Sequence, residues 1–374
     1  MKPKILTIVS RMNLGGIAVV VTETLNGTND KYQHMLVTGR CAKNEIDYLD
    51  SHKIDSEVIY LNNLKRRVGF LSEIFVIIRL VKIIKSFNPE IIHTHASKAG
   101  FSGRLAALIS FSNAKRIHTF HGHILFGYFP KFVSNFMIFI ERILARFSHK
   151  LIAVSESSKR ELLNLKIGTA NKWIVIPLGV NEKLNNKFKS ARDLRNGVNL
   201  VWVGRFEPIK NPLLAIESLK ELRKLNPEIS INLRMVGDGN LLAECKKYAT
   251  ESELNITFTG WTNTPFDYKD DLLLMTSTNE GFGLVVIEAG SKGIPTLSTQ
   301  IPAVSEIIED GVSGYISQAN PKAFATKLSE VLSKPENFDG VSQKILTLVN
   351  KKYSLSTMLE SYYKLYNLML MQTH

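Results

Sequence analysis

Short apolar runs rich in Ile and Val recur along this chain, each followed by an amphipathic stretch, and that alternation most limits what it can fold into. ILTIV (5–9) leads into a helical pattern from about Ala18, and EIIHT (90–94) into one from about Ser97. KRIHTF (115–120) and KLIAV (150–154) repeat the plan. Such alternation predicts α/β folding on parallel sheets, because parallel neighbours need a crossover and the crossover helix covers the sheet. The plan then restarts. WIVIPLGV (173–180) closes one series, the polar segment NEKLNNKFKSARDLRNG (181–197) follows, and NLVWV (199–203) opens a second. That series runs on through a helix after Pro212, INLRMV (231–236), LLLMT (272–276) and a helix after Gly283. At roughly 100–200 residues per domain, the 374 residues fit two doubly wound domains, 1–180 and 181–354. A last helix of about 355–374, with Tyr362, Tyr363 and Tyr366, is expected to pack back on the first. Ligands of such sheets sit beyond the carboxyl ends of the strands. The chemistry is therefore expected in the loops after the strands, facing a cleft between the domains.

Charge divides the chain in the same place. Residues 1–180 carry 25 Lys and Arg against 12 Asp and Glu, whereas residues 181–374 carry 22 of each. The first half is thus expected to face something anionic: a phosphorylated substrate, an acidic membrane surface or nucleic acid. No recognition motif of a nucleic-acid-binding class accompanies the charge. Cys41 and Cys245 form no metal or redox spacing, which fits a reducing compartment. The first apolar run is too short for a signal peptide and no run is long enough to span a bilayer, so a cytoplasmic protein is expected.

Two loops can carry chemistry. In VGRFEPIKNP (203–212), Arg205 and Lys210 flank a turn just before a helix, a pairing of cations and helix start that suits a diphosphate. In TSTNEGFGLVVIEAG (276–290), Glu280 and Glu288 stand on either side of a glycine turn. The amides of Gly281, Phe282 and Gly283 can donate to an anion or to sugar hydroxyls. A carboxylate at Glu288 can accept from two adjacent hydroxyls, as a ribose offers. Taken without context, each pair is equally a set of solvated surface charges.

Set together, these stretches resemble the retaining glycosyltransferases of family four, with the GT-B fold of two Rossmann-like domains. The resemblance rests on EGFGLVVIEAGSKGIPTLST (280–299), VGRFEPIKNP, MVGDG (235–239), FTGW (258–261), IPLGVN (176–181) and the Gly15-Gly16 loop, in family order over nearly the whole chain. It implies that Glu288 binds a nucleotide ribose, and that Glu280 with the amides of Gly281, Phe282 and Gly283 holds the donor sugar and its phosphate. It further implies that Arg205 and Lys210 neutralise the diphosphate leaving group, that Gly15 and Gly16 let backbone approach the donor phosphates, and that Gly260 and Trp261 lie where the base is held. Departure of a nucleoside diphosphate builds negative charge that fixed cations and amides stabilise. No D-x-D occurs, and no metal or other cofactor is expected. The chain departs from the family pattern at STQIPAVSE (298–306), which lacks a Gly-Gly pair, and at NLGGIAVVV (13–21), which lacks a charged residue after the glycines.

HTHASKAGFSGR (93–104) and HTFHGH (118–123) place five histidines in 31 residues, at strand ends. Their spacing raises zinc, but no carboxylate or cysteine lies beside them. The family pattern maps an active-site histidine to His121, orienting sugar or acceptor. SKAGFSGR recurs in resembling enzymes of bacterial surface polysaccharide synthesis, and Lys98 and Arg104 are read as acceptor-side cations, with a packed helix bearing two surface cations as the alternative. LKRRVGFLSEIFVIIRLVKIIKSF (64–87) and FGYFPKFVSNFMIFIERILARF (126–147) mix basic with bulky apolar residues. Such helices can lie on an anionic membrane, although much of that apolar surface also serves the core. The expected activity is transfer of a sugar, retaining and metal-independent, from a nucleotide donor (UDP) to a glycan or polyprenyl-diphosphate-linked acceptor at the cytoplasmic membrane face. A nucleotide-sugar epimerase or phosphorylase of the same fold and a non-catalytic nucleic-acid binder are the alternatives.

Overall fold

The computed structural model describes residues 1–42, 45–64, 70–122, 130–181, 197–262, 264–267 and 269–371. Most of the polar segment 181–197 and His123 lie outside the described residues. The chain separates into two compact units, Met1–Gly179 with Leu355–His374, and Val180–Ser354.

The first unit is built on a seven-stranded sheet of β1 (Lys4–Val9), β2 (Gln33–Thr38), β3 (Glu57–Tyr60), β4 (Ile91–His95), β5 (Lys115–Phe120), β6 (Lys150–Ala153) and β7 (Trp173–Val175). The strands stand in the order β3-β2-β1-β4-β5-β6-β7, and every pairing is parallel. Ile5 of β1 registers with Ile91 of β4; there the order reverses, at the switch point where such sheets bind ligands. The crossovers are α1 (Gly16–Thr28), α2 (Phe70–Phe87), α3 (Ser97–Ile109), α4 (Lys131–Phe147) and α5 (Glu156–Asn164). Helix α3 packs against both α2 and α4. Under α2 and α3 one core gathers Leu6, Ile8, Val37, Leu80 and Ile92.

The second unit repeats the plan with β8 (Val198–Val203), β9 (Ile231–Val236), β10 (Ile256–Gly260), β11 (Leu272–Met275), β12 (Thr296–Thr299) and β13 (Tyr315–Ser317), ordered β10-β9-β8-β11-β12-β13. Its pairings are also all parallel, and its switch point falls between β8 and β11. Helices α6 (Pro212–Leu225), α7 (Leu242–Glu251), α8 (Leu284–Gly290), α9 (Pro321–Leu332) and α10 (Pro335–Lys352) complete it. Pro opens α6, α9 and α10, where its missing N–H costs no hydrogen bond and its φ is already helical.

The last helix, α11 (Leu355–Met371), belongs to the first unit, where it packs against α1 and β4. Its aromatic spacing explains the docking. Tyr362 and Tyr366, one turn apart, are fully buried, while Tyr363 is left partly exposed. Tyr32 donates from its hydroxyl to Asn367 Oδ1 at 2.9 Å. Among the described residues no helix is long and apolar enough to cross a membrane.

Candidate active site

In the second unit the carboxyl ends of β8, β9, β10 and β11 carry four loops that are stitched to one another. After β8 the chain turns through Gly204 and a 3-10 turn, Pro208–Lys210, and enters α6 from Asn211 in the left-handed region. After β11 it passes through Thr276–Gly283. Thr276, wholly buried, joins these two loops: its hydroxyl donates to the Lys210 carbonyl at 3.0 Å and accepts from Trp202 Nε1 at 2.9 Å. The Thr278 amide donates to the Ile209 carbonyl at 2.8 Å. The Lys210 backbone is therefore set by the end of β11.

The side chains follow. Lys210 Nζ is ion-paired with Glu280 Oε1, and Ser277 Oγ donates to the same oxygen at 2.7 Å. Ser277 is itself held by Thr299 of β12, whose hydroxyl donates to its carbonyl at 2.6 Å. Arg205 lies 3.3 Å from Glu207 with 42% of its side chain exposed, so its guanidinium is open to an anionic ligand. Gly283 adopts φ 100° at the start of α8, the left-handed conformation that favours glycine. Glu288, half-buried on α8, accepts no hydrogen bond at its carboxylate among the described residues. Burial pushes its carboxyl up to about 7, and the nearby Lys292 charge works against that.

Glycine is required most clearly after β9. Gly237 has φ 137°, and a Cβ there would lie 1.9 Å from the Gly204 carbonyl oxygen. Its amide donates to the Gly260 carbonyl at 3.0 Å, and the Gly204 amide donates to that of Val236 at 3.0 Å. The loops after β8, β9 and β10 thus touch backbone to backbone, and Gly260 (φ 68°) faces open space beside Trp261. Thr276, Ser277 and Gly237 had no role assigned from the sequence. The available signal was a run of small hydroxyl residues ending the apolar LLLM, and the G-x-G of MVGDG at a strand end.

The first unit places its own candidates at the carboxyl ends of β1, β4 and β5. Gly15 is exposed and caps α1 without a side-chain bond, and Gly16 is the first helical residue. The histidines form a connected network. His93 Nδ1 lies 2.8 Å from the Tyr366 hydroxyl and its Nε2 2.7 Å from Thr119 Oγ1. Thr94 Oγ1 lies 2.9 Å from His118 Nδ1. His95 Nδ1 bonds His121 Nε2 directly at 2.9 Å, with the rings stacked. Helix α3 approaches so closely that a Cβ on Gly100 would sit 2.3 Å from His118 Cε1. Burial holds the rings neutral: His93 is lowered to about 3, His121 to about 4, and His95 and His118 well below the usual imidazole range. The buried Nδ1 of His121 has no hydrogen-bond partner among the described residues. Both nitrogens of His93 are engaged, and one nitrogen of His95 is bonded to one of His121. Among the described residues no group of His, Cys, Asp and Glu could hold a metal ion.

Arg104 is corrected by the structure. It is not a surface cation: it is 1% exposed, its Nη2 pairs with Glu141 Oε2 of α4 at 2.7 Å, and its Nε donates to the Gly100 carbonyl at 2.8 Å. Its charge is spent inside the unit. Lys98 is largely covered too, with Nζ 3.3 Å from Glu73 Oε2 of α2.

Two family models divide the chain almost as the sheets do. One described as Glycosyltransferase Family 4 matches residues 14–184, and one described as Glycosyl transferases group 1 matches residues 184–344. The chain belongs to the group 1, family 4 glycosyltransferases. Among relatives of this family 4 chain is an Escherichia coli UDP-Gal:alpha-D-GlcNAc-diphosphoundecaprenol alpha-1,3-galactosyltransferase, 28% identical over 287 residues, 73% of each chain. Another is the capsular polysaccharide biosynthesis glycosyltransferase CapM of Staphylococcus aureus, 22% identical over 85% of this chain and 87% of CapM. The family's GT-B fold is shared with solved structures. Anabaena HepE in complex with UDP and glucose superposes with a TM-score of 0.79 at 20% identity, covering 98% of this chain and 99% of HepE. Sucrose-phosphate synthase from Thermosynechococcus elongatus gives 0.82 at 19% identity over the whole of both chains.

Proposed function

We propose that this glycosyltransferase moves a sugar, with retention of anomeric configuration and without a metal, from a UDP-linked donor to a lipid-diphosphate-linked acceptor in surface polysaccharide synthesis. The observation that carries the reading is the Lys210–Glu280 pair, locked by Ser277 and Thr276 at the sheet's switch point, with Arg205 open beside it. The names of relatives support the donor and acceptor class, one a UDP-Gal transferase acting on a diphosphoundecaprenol-linked sugar and one a capsular enzyme.

In this reading the second unit holds the donor. Glu288 accepts from the ribose hydroxyls, Gly260 and Trp261 border the base, and Arg205 and Lys210 face the diphosphate. As the bond from the anomeric carbon to the phosphate oxygen breaks, negative charge grows on the diphosphate and both cations stabilise it, the part a divalent ion plays elsewhere. Glu280, with the amides of Gly281, Phe282 and Gly283, orients the sugar and its phosphate. The acceptor hydroxyl attacks from the face the diphosphate leaves and gives its proton to a departing phosphate oxygen, so no protein nucleophile is needed. In the first unit, Gly15 and Gly16 let backbone approach the phosphates and neutral His121 orients the sugar.

Calorimetric titration of the chain and of Glu288→Ala with UDP, GDP and ADP tests this. UDP is expected to bind in the micromolar range and the substitution to weaken it at least about tenfold, roughly 1.4 kcal/mol. If the folded protein binds no nucleotide, the reading is wrong; if GDP or ADP binds instead, only the base is.

A further inference from the structure

Helix α4 carries its bulkiest apolar residues on the side opposite the one that it buries. Ser134, Ile138, Glu141, Leu144 and Ala145 are buried against the first unit. At roughly 100° per residue, Phe132, Phe136, Phe139, Ile143 and Phe147 line up along the other side, and all five are exposed, Phe132 to 84% and Phe136 to 58%. A solvated helix face is normally polar. Across α3, helix α2 continues the theme with Ile74, Phe75 and Ile78 exposed near its start.

The charges around this surface are of one sign. Arg79, Lys82 and Lys85 of α2 and Lys131, Arg142 and Arg146 of α4 are all exposed. Each helix has a single acid, and each acid turns inward to a cation of α3: Glu73 to Lys98, Glu141 to Arg104. The two cations of SKAGFSGR thus neutralise the only anions on this layer, and what faces outward is aromatic and cationic. Beyond the end of α4, Arg116, Lys150 and Lys172 line an open cavity of about 420 Å³ together with Phe147, which extends the basic rim.

We propose that this α2–α4 surface docks on an anionic lipid bilayer, the phenylalanine stripe of α4 entering the headgroup–acyl boundary while the six exposed cations meet lipid phosphates. Aromatic and aliphatic burial with a basic rim is the chemistry of interfacial helices, and each cation near an anionic leaflet adds to the attraction. A second copy of the chain fits the face poorly, because it would set six cations against six. The inference does not depend on the proposed reaction.

Flotation of the full chain with vesicles decides it, using phosphatidylcholine alone and phosphatidylcholine mixed with phosphatidylglycerol. Binding is expected only to the mixed vesicles and is expected to weaken with salt. Phe132→Ser with Phe136→Ser and Phe139→Ser should lower the affinity at least about tenfold. Arg79→Gln with Lys82→Gln and Lys85→Gln should lower it on the order of a hundredfold. These positions are exposed, and circular dichroism melts check that each variant is folded. Wild-type protein that ignores mixed vesicles, or variants that bind as it does, would overturn the proposal. So would a concentration-dependent dimer that the serine variant turns into a monomer, which would give the face to a second copy. Loss of UDP binding with vesicle binding intact would instead remove the reaction and leave the docking surface standing.

Discussion

The two units share a fold plan and put polar residues at the same place in it, yet they treat those residues in opposite ways. In the first, β4 and β5 end in imidazoles that are closed in, with His93 and His118 wholly inaccessible and His95 nearly so, both nitrogens of His93 bonded to Tyr366 and Thr119, one of His118 to Thr94 and one of His95 to His121. In the second, β8 and β11 end in full charges that stay within reach of solvent, Arg205 most of all. A buried neutral network fixes geometry, because low dielectric makes each hydrogen bond directional and each unpaired atom costly. The charges of the second unit are paired too, Lys210 with Glu280 and Arg205 with Glu207, but they stay partly open to solvent. One topology thus yields a closed neutral wall in one unit and a charged, solvent-accessible rim in the other.

Acid should separate the two most. A ring neutral in the folded unit but titrating at its ordinary 6.5 when unfolded means that the unfolded chain takes up protons first as pH falls. The stability of the first unit should therefore drop below about 6.5, and continue dropping toward the folded values near 3 and 4 of His93 and His121. For each fully buried ring this is at most about 1.4 kcal/mol per pH unit. Glu288 has the opposite sign. Its folded carboxyl is raised to about 7, so its contribution to stability is fully present below 4.5 and is lost as pH rises through 7. Amide hydrogen exchange at pH 7 and 5.5 should show protection falling in the first unit and largely kept in the second; equal loss in both would break the contrast. Nucleotide affinity should weaken below pH 7 as the Glu288 carboxylate takes a proton.

The next effect isolates the interior of the first unit. Glu141→Gln leaves the Arg104 guanidinium buried without its counter-charge, which should cost about 3–5 kcal/mol in urea unfolding of that unit alone. Arg104→Met combined with Glu141→Leu should recover most of the loss; if the double variant stays as weak as the single one, packing rather than charge governs the site. The smallest effect sharpens the functional side of the comparison. His95→Asn should loosen His121 and lower kcat about tenfold, roughly 1.4 kcal/mol, with nucleotide affinity unchanged. A parallel loss of UDP binding would show that the histidine network does more than orient.

Much of this was legible in the sequence because it is local. INLRMV coincides with β9 and KRIHTF with β5, since each is a run of strand length set between turn-forming residues, SNA before KRIHTF and GDG after INLRMV. Helices beginning near Ser97 and after Gly283 follow from turn glycines and small residues at their starts. Strands such as β13, three residues long, and β2, which begins Gln33-His34, carry too little pattern to be read. Charge partners were the larger loss. Arg104 looks like a surface cation because its partner is 37 positions away, and nothing near His93 points to Tyr366, 273 positions away. Spacing within a motif cannot reveal what a distant helix brings to it.

That last pairing also sets an order of events at the ribosome. Residues 355–371, which supply Tyr362 and Tyr366 to the first unit, are made only after every residue of the second. At about 5–20 residues per second, the nascent first unit waits on the order of ten to forty seconds with His93 lacking its tyrosine and α1 without the helix that packs on it. The part synthesised first is finished last. A premature stop just after Ser354 would leave the second unit whole and the first one incomplete.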